Sequence, residues 1–100
     1  MGILSIATRI PSCSQAYVFG SALHSAAPND LDLLVVYDPD ACPPSDAYKR
    51  HAELCESLKA ALGLPVHLTP LTQDEAKSVS FVERMNAIPL EEALRELRKL

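Results

Sequence analysis

The stretch Asn29-Asp30-Leu31-Asp32-Leu33-Leu34-Val35-Val36-Tyr37 restricts what this chain can fold into more than any other. It reads as a strand whose first residues alternate acid, apolar, acid. Alternation projects Asp30 and Asp32 from the same face, roughly 6.5 Å apart along the chain. Two carboxylates on one face repel each other unless a cation sits between them. Oxygen-only ligands of that kind favour Mg²⁺ or Mn²⁺ over softer metals. From Leu33 to Val36 the run is continuously apolar, which suits a strand covered on both faces. Asp30 alone would be ordinary, because Asn-Asp is a good turn former. Asp32 is harder to dismiss, since an unpaired charge buried in an apolar strand costs several kcal/mol.

Upstream, Gln15–Phe19 reads as a first strand that runs into Gly20-Ser21. A Gly-Ser turn that opens a helix offers backbone N–H groups and a hydroxyl to phosphate oxygens. Gly20 itself lets the backbone come close to them. A phosphate cradle with paired acids is the equipment for metal-assisted nucleotidyl transfer. Gly20-Ser21, an eight-residue spacer and Asp30-x-Asp32 ahead of an apolar strand resemble the signature of the DNA polymerase beta-like nucleotidyltransferase superfamily. The nearest match within it is the group of minimal nucleotidyltransferases. The motif covers about twenty residues, and the order of elements around it agrees over most of the chain.

The resemblance implies a nucleotidyltransferase fold and a metal-dependent reaction. Asp30 and Asp32 would hold Mg²⁺ or Mn²⁺, while Gly20 and Ser21 would hold the phosphates of ATP or another NTP. The product would be a nucleoside monophosphate, AMP in the first instance, joined to a protein or small-molecule acceptor. Similar proteins act as antitoxins of a HEPN-type helical partner, which makes such a protein an expected partner here. A third carboxylate normally comes from the next core strand, and by element order that position is His67. Imidazole is a poorer magnesium ligand than carboxylate and brings no negative charge. His67 could serve as a neutral base or as a ligand for a softer ion. The site could run on two acids, or the chain could be a catalytically impaired module that binds a nucleotide or a partner. Relatives commonly carry Arg where this chain has His24, whose bland reading is an exposed loop residue.

One hundred residues make one domain, large enough to bury about 60–68% of its unfolded surface. The net charge of −4 lacks the basic excess of a duplex-binding surface, so nucleic acid is a disfavoured partner. Cys13, Cys42 and Cys55 are odd in number and form no Cys-x-x-Cys pair, which speaks against a disulfide framework or structural zinc. Three reduced thiols point to a cytoplasmic protein. The N-terminal apolar run is broken by Arg9 and Pro11, too soon for a signal peptide or a membrane span.

The remaining pattern predicts a small mixed sheet of three to four strands with helices packed on it, an α/β (α+β) fold. Ile3, Ile6, Ala7 and Ile10 suggest a helix over residues 2–10. A helix from Asp46 to Leu62, capped by Ser45 and stopped by Gly63, would bury Tyr48, Ala52, Cys55, Leu58 and Leu62. Leu64–Leu71 reads as the third strand, with His67 and Thr69 on one side. Thr72-Gln73-Asp74-Glu75 is a capping box. It opens a helix expected to run to about Asn86, with Ala76, Val79 and Val82 inward. Pro89 suits the first turn of a last helix, whose seam of Leu90, Leu94, Leu97 and Leu100 could also join two copies in a homodimer.

Overall fold

The computed structural model describes the backbone of residues 9–24 and 28–98, and the side chains of those up to residue 96. Residues 2–8 of the helix expected over 2–10, the end of the Gly-Ser loop at residues 25–27, and the side chains of Leu97 and Leu100 of the terminal seam lie outside what is described. Among the described residues the sheet has four strands: β1 (Ser14–Phe19), β2 (Leu31–Tyr37), β3 (Val66–Thr72) and β4 (Ile88–Pro89). Their order is β3-β2-β1-β4. β1 runs antiparallel to β2 and to β4, whereas β2 and β3 are parallel. The fold is α+β with a mixed sheet, as expected from the pattern of elements.

β2 lies inside the sheet and is covered on both faces. On one face Leu31, Leu33 and Val35 join Ala16 and Val18 of β1 against Leu54, Leu58, Leu90, Ala93 and Leu94. On the other face Leu34 and Val36 pack with Ala76, Tyr17, Phe19, Leu71, Phe81 and Val82. The continuous apolar run from Leu33 to Val36 is thereby explained, because both alternating sets of side chains are buried. Among the described residues β3 forms one edge of the sheet, where Pro70 is tolerated because no described strand needs its missing N–H.

The helices depart from the sequence reading at three places. A single 3₁₀ turn, Pro44–Asp46, leads into α1 (Ala47–Arg50), which ends at His51 before α2 (Ala52–Leu62). No side chain caps α1, so Ser45 does not act as predicted. His51 has φ −104° and ψ 6°, and its Nδ1 takes up the carbonyl of Ala47 at 2.7 Å. The same carbonyl also accepts from the His51 N–H at 3.3 Å, and the helix is interrupted at this residue. The buried stripe is therefore Ala47, His51, Leu54 and Leu58, while Tyr48 is 65% exposed and Ala52 faces solvent. Cys55 and Leu62 are half-buried against the core. Gly63 ends α2 in the left-handed region, φ 69°, as its position suggested.

The capping box is present. Thr72 Oγ1 accepts from the Glu75 N–H at 3.1 Å, and Glu75 Oε1 accepts from the Thr72 N–H at 2.9 Å. The helix it opens, α3 (Gln73–Ser78), stops early because Ser80 takes a left-handed conformation, φ 49°. A second short helix, α4 (Phe81–Arg84), follows. The break leaves Val79 46% exposed and turns Phe81 toward the core in its place. Pro89 is not in a helix. It pairs with Tyr17 in β4, and α5 (Leu90–Arg98) begins one residue later.

Candidate functional site

The C-terminal end of β1 and the N-terminal ends of β2 and β3 meet at one margin of the sheet. Phe19 stands opposite Asp32, and Asp32 stands opposite His67 in the next strand. Partners in register share a face, so Phe19, Asp32 and His67 form a row across three strands. Asp30 precedes the first residue of β2, and the approach of its carboxylate to the His67 ring sets it on the same side. The register places His67 beside Asp32, at the position that element order gave it.

Gly20 follows β1 with φ 85° and ψ −158°, a backbone conformation that side chains rarely adopt. A Cβ placed there would approach Asp32 Oδ2 to less than 3.0 Å. The Asp32 carboxylate thus leans over the α-carbon of Gly20. Glycine is needed for two reasons, the positive φ and the missing side chain. Ser21 is exposed and starts a single 3₁₀ turn, Ser21–Leu23, anchored by the buried Ala22. The turn is closed by the N–H groups of Leu23 and His24, which donate to the carbonyls of Gly20 and Ser21. Over the described residues 21–24 it is a single turn, within the short helix or turn expected over residues 21–27. Any phosphate contact would come from local N–H groups and the Ser21 hydroxyl, without the macrodipole of a longer helix. His24 is exposed on this turn, in line with its bland reading.

The carboxylates are less buried than the apolar strand suggested. Asp32 is half-buried, the Asp30 side chain is 39% exposed, and that of His67 is 63% exposed. His67 Nε2 comes within 3.5 Å of Asp30 Oδ2. Water at this margin lowers the cost of holding two acids together without a fixed counter-charge. Two carboxylates on one face beside a bare α-carbon suit a hard cation. Among the described residues no three His, Cys, Asp or Glu side chains are grouped as a metal centre. A cation here would take the carboxylates of Asp30 and Asp32 and fill its shell with water and phosphate oxygens, the habit of Mg²⁺.

Two features of the site's surroundings were missing from the sequence reading. Phe81 lies against Phe19 in an edge-to-face contact, ring centroids 5.2 Å apart and planes at 88°. The break at Ser80 brings it there, and the chain's composition gives no hint of it beyond the rarity of phenylalanine. At the opposite end of β1, His51 is fully buried. Its Nδ1 donates to the Ala47 carbonyl, and Ser14 Oγ lies 2.8 Å from its Nε2. The recurrence of buried positions at 47, 51, 54 and 58 is helical and could have identified it.

Asp38 and Asp40 lie beyond the far end of β2 and engage in turn chemistry. The Asp40 N–H donates to Asp38 Oδ1, and the Asp38 carbonyl accepts from Ala41 and Cys42. The three cysteines are free thiols, with Cys42 buried and Cys13 and Cys55 half-buried. Burial, followed by the charge of Glu56, pushes the Cys55 thiol above its ordinary value. Among the described residues no helix is long and apolar enough to cross a membrane. In comparisons with known proteins, no family model, no curated protein and no solved structure matches this chain.

Proposed function

We propose that the chain is a metal-dependent nucleotidyltransferase that moves AMP from ATP to a hydroxyl of an acceptor supplied by another molecule, whose oxygen bonds to the α-phosphorus as pyrophosphate leaves. The observation that carries this reading is the fit of the Asp32 carboxylate over Gly20, which joins the Gly-Ser turn and the acid pair into one site. Asp30 and Asp32 would hold Mg²⁺ or Mn²⁺. The ion would supply charge for the phosphates and activate the attacking hydroxyl. The Ser21 hydroxyl and the N–H groups that open the turn, at Ser21 and Ala22, would steady the phosphate oxygens. A HEPN-type helical protein is the acceptor proposed from the resemblance of the motif, and the protein would then act as its antitoxin. The test is incubation with labelled ATP and Mg²⁺ or Mn²⁺, alone and with lysate. Label should pass to an acceptor with wild type and not with D32A; equal transfer by the two proteins would sink the reading.

One observation favours a second reading, a nucleotide- or partner-binding module with impaired turnover. His67 faces Asp30 at 3.5 Å, so a nitrogen stands where a third acid would help gather metal. Replacement by a carboxylate, H67D, separates the two readings. Transfer that appears only in H67D selects the module, and transfer by wild type selects the enzyme.

A further inference from the structure

Both phenylalanines of the chain stand at the margin that carries the acids. Phe19 is directly opposite Asp32 in the β1–β2 register, so its ring and the carboxylate are neighbours on one face. It is also the last apolar side chain of β1 before Gly20. Phe81 packs edge-to-face on it, and both rings are half-buried. The pair packs against a core of Leu34, Val36 and Ala76, and Phe19, through its register with Asp32, ties it to the acids. Phe81 is held there by unusual backbone. α4 is bracketed by Ser80 at φ 49° and Asn86 at φ 52°, the described non-glycine residues with positive φ. Such conformations persist where surrounding structure enforces them, and they concentrate at ligand clamps and switch regions.

We infer that Phe81, backed by Phe19, is the stacking surface for the planar base of the nucleotide whose phosphates are held at Gly20, Asp30 and Asp32. The inference rests on the reading of that margin as a nucleotide site. Every base presents a π-face, so a stacking surface of this kind accepts purines and pyrimidines alike and adds affinity more than base choice. Inorganic phosphate chains would gain nothing from it.

The experiment compares ATP with tripolyphosphate by calorimetry in the presence of Mn²⁺, using the full chain and its F81L and F81A variants. Wild type should bind ATP about tenfold more tightly than tripolyphosphate. F81A should lose that preference while its affinity for tripolyphosphate stays unchanged. F81L keeps an apolar side chain on Phe19 and removes the π-face, so it should lose the preference without a change in melting temperature. If wild type binds both ligands and the F81L and F81A ratios match its own, the inference is overturned and the phosphate site stands. If wild type binds neither ligand, the nucleotide reading itself falls, and the inference with it.

Discussion

Gly20 and Asp32 are fitted to one another across β1 and β2: Asp32 Oδ2 occupies the space that a side chain on Gly20 would need. The positive φ of Gly20 and this close approach act together, so alanine at position 20 should be poorly tolerated. G20A should lose about 1–3 kcal/mol of stability, measured by urea denaturation. Part of that loss comes from the carboxylate and should be recovered in the G20A/D32A double variant, whose remaining deficit reports the backbone strain. Strict additivity of the two substitutions would show that the residues do not meet.

His51 ties the break between α1 and α2 to the start of β1 through Ala47 and Ser14. H51A would open a cavity beside Tyr37 and leave the Ser14 hydroxyl without its imidazole. The expected loss is about 2–4 kcal/mol, read from denaturant midpoints. Ser14 and Phe19 are the ends of a six-residue strand, some ~17 Å apart at the usual rise. Nucleotide affinity should therefore be unaffected by H51A.

Burial, the charge of Glu75 and the neighbouring Cys42 raise the Tyr37 phenol above its ordinary value of 10.0. The folded chain thus holds the neutral phenol more firmly than the unfolded chain does. Its contribution is fully present below about pH 10 and is lost as pH rises through the folded-state value. Denaturant midpoints of the wild type should fall in that alkaline range, and Y37F should flatten the decline. Cys55, also raised, acts in the same direction from a lower starting pH, so Y37F/C55S should flatten it further. A steeper decline in Y37F would reverse the sign argued here.

Local chemistry made much of the molecule legible in the sequence. Asp32 and His67 share a face because their strands pair in register, and Thr72 and Glu75 cap a helix because both bonds are made within one turn. The both-sided cover of Leu33–Val36 followed from its apolar continuity. What was not legible depends on partners distant in the chain. His51 looks polar by type and is buried because Ser14, 37 residues away, satisfies its second nitrogen. The buried stripe passes through His51, which leaves Tyr48 and Ala52 in solvent. β4 is two residues long and contains Pro89, and it exists because Tyr17 and Val18 offer it an edge. Ser80 carries no local signal for left-handed backbone, so the end of α3, the exposure of Val79 and the approach of Phe81 to Phe19 were hidden.

Gly20, Asp30 and Asp32 are proposed to form one metal-dependent nucleotide site. Calorimetric titration of ATP into wild type and D32A, each with and without Mn²⁺, tests it most directly. Wild type should bind ATP in a metal-dependent manner, and D32A should bind it about tenfold more weakly or worse. Metal-independent binding, equal binding by the two proteins, or no binding by wild type would contradict the claim.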